Sequence, residues 1–258
     1  MFSFFKKKNK EVPTVEEKIV ENFDDIGEVS EYFHKETGVT FDKQESILKN
    51  KVISFCRQNS IYSFSKLLSE INVNKNLKQS LIDHLTTNET YFYREIKQIE
   101  ALVKLVKNDG SNVRILCAPS ATGEEPYSIA MMLLESGVSS SKIDILGIDI
   151  NSDAIQKANK AIYGERNVRN LTDSLKGKYF TKEADKYILK DSVKSLVNFK
   201  VINIFDQEFK SLGKFDFIFS RNMLIYFDKE TKLKAKKILE DMRKTDEHCI
   251  FFGHADLY

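Results

Sequence analysis

Val113-Arg114-Ile115-Leu116-Cys117 runs directly into Ala118-Pro119-Ser120-Ala121-Thr122-Gly123-Glu124-Glu125-Pro126-Tyr127. A short β-branched and aliphatic run, a turn of small residues and then a proline read as a strand, a loop and the start of a helix. Pro126 suits a first helical turn because the N–H it lacks would have no partner there. That helix is predicted to end near Gly137, and Ile143-Asp144-Ile145-Leu146-Gly147-Ile148 reads as the next strand. Beyond it Ala154, Ile155, Ala158, Ala161 and Ile162 give a helical stripe that closes at Gly164. Further strands are predicted over 197–204, 215–220 and 249–252, with a helix from Asp228 to about Arg243 between the last two. Strands that alternate with helices argue for an α/β domain with a parallel sheet covered by helices. Between Lys178 and Lys190 two short runs flank Glu183-Ala184-Asp185, which predicts a small β-hairpin inserted in that domain, at about 176–197.

Upstream the pattern is helical. Asp42 reads as a helix cap with Glu45 reaching back to it, and Leu48, Val52, Phe55 and Cys56 then form one stripe, with Lys43 and Arg57 on the opposite face. Leu77, Leu81, Ile82 and Leu85 mark another helix. Residues 1–25 begin basic, turn acidic and carry no sustained core pattern, so they read as a tail and linker. The expected division is a tail over 1–25, a small helical domain over 26–95 and the α/β domain over 96–258.

The composition narrows the class. No apolar run approaches the roughly 18 residues that cross a bilayer. The apolar stretch at Met1-Phe2-Ser3-Phe4-Phe5 stands ahead of its lysines, whereas a secretory signal puts charge first, so neither export nor stable membrane insertion is expected. Three widely spaced cysteines, each beside apolar residues, suit buried thiols in a reducing cytoplasm. His34, His84, His248 and His254 show no metal-ligand spacing, so no metal is expected. A net charge of only +2 gives no general attraction to nucleic acid.

Open α/β sheets bind ligands beyond the carboxyl ends of their strands. The loop after the first strand has one glycine, not the G-x-G-x-x-G that lets a backbone approach a pyrophosphate, so a ligand without phosphates is favoured over a dinucleotide. Asp149, leaving the second strand, can accept both hydroxyls of a ribose or can cap the helix that follows; the pattern leaves both open. The fourth strand ends at Arg221-Asn222, polar groups closing an apolar run.

Five segments together carry a resemblance. They are Thr86-Thr87-Asn88-Glu89-Thr90-Tyr91-Phe92-Tyr93-Arg94-Glu95, Ala121-Thr122-Gly123-Glu124-Glu125-Pro126-Tyr127-Ser128-Ile129-Ala130-Met131, Gly147-Ile148-Asp149-Ile150, Ser220-Arg221-Asn222-Met223-Leu224-Ile225-Tyr226-Phe227-Asp228 and Gly253-His254. In this order they resemble the signatures of the CheR family, the chemotaxis-receptor glutamate O-methyltransferases, from roughly residue 30 onward. The resemblance implies a Rossmann-like methyltransferase domain that uses S-adenosylmethionine and yields S-adenosylhomocysteine. It also implies the helical N-terminal domain, the inserted β-subdomain, and the cytoplasmic helical region of chemotaxis receptors as substrate, methylated on glutamate in sensory adaptation. Carried over by position, Asn88, Thr90 and Arg94 would face the cofactor, Glu125 its amino-acid end, Asp149 its ribose, and Asn203 and Ile204 its adenine. Arg221 and Asn222 would line the pocket, and Tyr226 would stand near the methyl group, with Arg94 and Tyr226 as the candidate catalytic pair.

Plainer readings stand beside these. Ile204 also fits a core position, Asn203 a turn, and Glu124 and Glu125 the acidic first turn of a helix. An acidic receptor helix calls for a basic surface, and Lys43, Lys51 and Arg57 are the candidates by position, although a solvated helix face explains them as well. Two features depart from the family pattern. The sequence stops at Tyr258, where members usually continue through further strands, so a truncated piece or a smaller sheet is expected. The hairpin has no glycine between Lys178 and Lys190, which favours substrate binding without a docked receptor tail. A monomer is expected; a cofactor-binding sensor without turnover and a methyltransferase acting on a small molecule or nucleic acid are the rival classes.

Overall fold

A computed structural model describes residues 21–41, 44–109, 111–247 and 249–257. The expectations placed on the N-terminal tail, on Asp42 and Lys43 and on His248 fall outside the described residues. Four helices come first: α1 (Gly27–Thr37), α2 (Glu45–Gln58), α3 (Phe64–Val73) and α4 (Lys75–Leu85). Their apolar stripes meet in a core of their own, built from Phe33, Leu48, Val52, Phe55, Leu67, Ile71, Leu81 and Leu85. Local chemistry marks the ends. Ser63 Oγ accepts the Lys66 N–H at the start of α3, Asn74 Oδ1 accepts the Asn76 and Leu77 N–H groups at the start of α4, and Gly38 closes α1 with φ 77°. Helix α2 begins at Glu45 with Gln44 at the cap position and no side-chain cap bond from Gln44; the capping box read at Asp42 lies outside the described residues.

The second part opens with α5 (Ile96–Asp109), β1 (Val113–Cys117), α6 (Glu124–Glu135), β2 (Ile143–Asp149) and α7 (Ser152–Lys160). A small insert follows: β3 (Ile162–Gly164), α8 (Glu165–Val168), α9 (Asp173–Tyr179), β4 (Phe180–Glu183) and β5 (Lys186–Leu189). The chain finishes with α10 (Asp191–Lys194), β6 (Val197–Val201), α11 (Gln207–Lys210), β7 (Phe217–Ser220), α12 (Lys229–Asp241) and β8 (Ile250–Phe252). The main sheet has the order β6-β2-β1-β7-β8 with every pairing parallel, Val113 opposite Ile143 and Ile115 opposite Phe217. Both faces are covered. Ile115 and Cys117 point into one apolar cluster and Leu116 into the other, which is why the strand reads as a continuous apolar run and not as an alternation.

The insert is larger than a hairpin. The stripe read through Ala161 and Ile162 as helix breaks at Ala161, whose φ of 54° turns the chain out of α7, and Ile162–Gly164 becomes β3, antiparallel to β5. The resulting sheet has the order β3-β5-β4. Ile162 fits the helical spacing yet stands half exposed, while Tyr163 is buried edge-on against Phe92 at 4.9 Å. Tertiary packing of Tyr163 outweighs local periodicity there.

The helical part is fastened to the carboxyl end of the sheet. Asp83 of α4 accepts the Ser152 N–H and Oγ–H at 2.6 Å each, at the first residue of α7. Asn151 Nδ2 donates to the Asp83 carbonyl (3.1 Å) and to Thr86 Oγ1 (2.8 Å), and Gln79 Nε2 donates to the Ile150 carbonyl (2.8 Å). Asp83→Ala leaves the Ser152 donors at this junction without their carboxylate, and is expected to lower unfolding stability by about 1–3 kcal/mol. Urea denaturation checks this; an unchanged midpoint would contradict it.

Candidate active site

The order of the main sheet reverses between β1 and β7, and their carboxyl ends, with that of β2, open into a cavity of about 300 Å³ roofed by the helical part. Four strand ends, those of β1, β2, β6 and β7, with the linker after α4 and the first half of α2, contribute to its walls.

The loop after β1 begins at a cis Ala118-Pro119 bond and turns through Gly123, whose φ is 94°. A Cβ there would stand 3.0 Å from Ala158 Cβ and 3.1 Å from rings of Tyr127 and Phe199, so both conformation and space require glycine. The turn delivers two glutamates with different fates. Glu124 is fully buried, accepts hydrogen bonds from Thr122 Oγ1 and Asn167 Nδ2 at 2.6 Å each, and ties the loop to α8; burial pushes its carboxyl above the usual range. Glu125 lines the cavity, and its Oε2 lies 2.7 Å from Arg221 Nη1.

Arg221, at the end of β7, is 5% exposed. Its Nη2 donates to the Arg94 carbonyl at 2.7 Å and its Nε is 3.7 Å from the Glu95 carboxylate. One guanidinium thus faces two carboxylates. Burial raises the Glu125 carboxyl, and the Arg221 charge opposes that rise. Glu125 Oε1, Ser120 Oγ and Ser220 Oγ are buried without a hydrogen-bond partner. A buried acceptor left open beside a cluster with more acid than base suits an incoming ammonium group.

Asp149 ends β2 inside the same wall. Its Oδ2 accepts the Ala121 N–H and its Oδ1 the Asn151 N–H, both at 2.9 Å. Burial pushes its carboxyl up to about 6 against the lowering effect of these N–H groups. The helix cap is Asn151, which accepts the Ala154 N–H at 2.8 Å, so Asp149 is released from that role and keeps lone pairs for a diol. Asn203 and Ile204 line the cavity while serving structure as well. Asn203 Oδ1 accepts the Phe205 N–H, its Nδ2 donates to the Glu36 carbonyl, and Ile204 is buried in the core.

The remaining wall is the linker, with Asn88, Thr90, Tyr91 and Arg94, whose Nη1 donates to the Glu89 carbonyl at 2.8 Å. Asn222 has φ 60°, and its N–H and that of Gly253 both donate to Asp256 Oδ2. A Cβ on Gly253 would lie 2.8 Å from that oxygen, which accounts for the glycine in the last motif. Tyr226, in a 3-10 turn over Leu224–Tyr226, is 42% exposed and stands at the cavity with the exposed Ile47 and Ile225.

Asn88, Thr90, Arg94, Glu125, Asp149, Asn203, Ile204, Arg221, Asn222 and Tyr226 therefore border one cavity, as does Lys51, whose Nζ donates to the Leu85 carbonyl at 3.3 Å. Arg57 does not border it. It lies in the last turn of α2, where its guanidinium is held by both Glu21 carboxylate oxygens. Glu95, Tyr91 and Asp256 escaped sequence reasoning: the first two stand among motif residues without a separable signal, and Asp256 acts through backbone N–H groups that no side-chain pattern marks. Among the described residues no cluster of histidine, cysteine, aspartate or glutamate is placed to hold a metal ion.

Residues 88–257 match the CheR methyltransferase, SAM binding domain. Over 244 residues the chain is 35% identical to a chemotaxis protein methyltransferase of Campylobacter jejuni, covering 94% of this chain and 92% of the relative. It is 35% identical to chemotaxis protein methyltransferase 2 of Vibrio cholerae (88% of this chain, 83% of the relative) and 28% identical to the chemotaxis protein methyltransferase of Escherichia coli (88% and 82%). The buried Asp149, the open Glu125 oxygen and the single-glycine loop after β1 suit a ribose and an amino-acid end held at the strand tips of an S-adenosylmethionine-binding domain, and the chain belongs to the CheR methyltransferase family.

Proposed function

We propose that this chain transfers the methyl group of S-adenosylmethionine to glutamate side chains in the cytoplasmic helical region of chemotaxis receptors, forming glutamyl methyl esters in sensory adaptation. The observation that carries this reading is the single cavity that joins Asp149, the Glu125–Arg221 pair and Arg94 to an exposed mouth at Tyr226. When bound, the cofactor supplies a methyl group activated by a sulfonium. Asp149 would hold the ribose, Glu125 the ammonium of the amino-acid end, and Asn203 and Ile204 the edge and face of the adenine, with Asn88, Thr90, Arg221 and Asn222 closing the walls.

A glutamate side chain is already ionised at neutral pH, so its methylation needs no general base. What the protein must provide is desolvation of that carboxylate and placement of its oxygen about 3–3.5 Å from the methyl carbon, in line with the leaving sulfur. Arg94 and Tyr226 would supply the placement, one by charge and one by a hydroxyl donor at the mouth. Of the cations considered for receptor binding, Lys51 stands in the cavity wall and supports that role, Arg57 is engaged by Glu21, and Lys43 lies outside the described residues.

Incubation with methyl-labelled S-adenosylmethionine and receptor cytoplasmic fragments, followed by mild base, should release labelled methanol, as an ester does; label resistant to base, or no transfer at all, would contradict the reading. Removing a hydrogen bond to a charged group costs about 1.5–3 kcal/mol, so Arg94→Ala and Tyr226→Phe should each slow transfer by about 10- to 100-fold. Near-normal turnover in both would remove them from this role.

The raised Asp149 carboxyl also predicts a pH dependence. Its ionised form accepts the ribose hydroxyls, so affinity is fully present above about 6 and is lost as pH falls through that value. Calorimetry with S-adenosylhomocysteine should show weakening towards about tenfold per pH unit below the inflection. Asp149→Asn should bind weakly at neutral pH and lose the inflection near 6, leaving only the contribution of Glu125.

A further inference from the structure

Two guanidiniums meet the ring of Tyr91 in the cavity wall: Arg169, with Cζ 3.6 Å from the ring centroid, and Arg94, with Cζ 5.7 Å away. They arrive from different elements, Arg94 from the linker and Arg169 from the residue that ends α8. Main-chain carbonyls hold both, Arg169 Nη1 donating to the Arg166 carbonyl at 2.7 Å and Arg94 Nη1 to that of Glu89. Arg166 is neutralised by Glu89 at 2.9 Å, but neither Arg94 nor Arg169 forms an ion pair with a carboxylate among the described residues. Arg169 is exposed and is not among the residues that line the cavity.

We propose that Arg169, oriented by Tyr91, is a specificity-determining residue that binds a second carboxylate of an acidic helical substrate, beside the one that enters the cavity. The inference rests on the protein-methylating function proposed above. A guanidinium stacked on an aromatic face keeps its in-plane N–H donors, and these match a carboxylate in paired fashion. An acidic helix presents carboxylates three or four residues apart on one face, about 5–6 Å between neighbours. With one carboxylate drawn into the cavity, the next comes over the rim beside Tyr91. Of the exposed residues that line the cavity, Ile47, Ile225 and Tyr226 are uncharged and Glu89 is paired with Arg166, while Arg57 of α2 is paired with Glu21. Beside Tyr91 two guanidiniums without a carboxylate partner are left for an acidic partner, and Lys51 of α2 is the other cation of the cavity wall.

The test measures methyl transfer from labelled S-adenosylmethionine to a helical receptor cytoplasmic fragment by wild type, R169E and R169K, together with S-adenosylhomocysteine affinity. R169E should raise KM for the fragment about tenfold, with cofactor-product affinity within about a factor of two of wild type. R169K, which keeps the charge but not the stacking, should fall between, and a fragment with lysine in place of the glutamate one turn from the target should lower the KM of R169E. An unchanged KM in R169E overturns the proposal, and so does an equal loss of cofactor-product affinity, which would make Arg169 part of the cofactor wall. Absence of transfer by the wild type overturns the function itself and the inference with it. If R169E does not fold, Arg169→Gln reads the same loss of charge.

Discussion

A guanidinium without water sets the terms for the whole site. Arg221 is almost fully buried, and a buried charge persists only where opposite charge and hydrogen-bond acceptors surround it. Glu125, Glu95 and the Arg94 carbonyl surround it, and they come from two elements, the first turn of α6 and the linker after the helical part, gathered around the end of β7. The linker therefore cannot drift from the sheet without stranding the arginine. Its residues Asn88, Thr90 and Tyr91 are held over the strand tips by the same contact that positions Arg94.

The cluster is also unbalanced, with two carboxylates for one guanidinium and a Glu125 oxygen that has no partner. That imbalance weakens the folded state by itself, because a buried acceptor without a donor costs free energy. It becomes an asset when a ligand brings a cation. Asp149 repeats the logic in the wall of the same cavity, a buried carboxylate raised by burial that accepts backbone N–H groups. Both groups read as sites where stability has been given up for binding.

The helical part completes the cavity from above. Asp83 and Asn203 bind the two parts together through main-chain and hydroxyl partners, so the roof over the strand ends is set by directional bonds as well as by apolar packing. The apolar cores are distinct, one among α1–α4 and two against the sheet, with Val39 packed against both the helical core and one of the sheet cores. A polar, hydrogen-bonded seam between separate cores is a natural place for a cleft.

Much of this was legible in the amino-acid sequence because it depends on short-range chemistry. The apolar run at 113–117, the small-residue turn and Pro126 announce a strand, loop and helix, since local backbone preference and burial on both faces agree there. The motif residues at the strand ends could be named in advance because a parallel sheet always presents those positions to its ligand crevice. Other features required the folded chain. Ala161 turns away from the helical spacing, and this buries Tyr163 against Phe92 while Ile162 stays half exposed. Asp149 is freed for a ligand only because Asn151 takes the cap, and Arg57 is drawn to Glu21, 36 residues away. Periodicity and capping act over a few residues and are written in the chain itself, whereas ion pairing, desolvation and the meeting of Arg169 with Tyr91 depend on distances through space that exist only after the chain has folded.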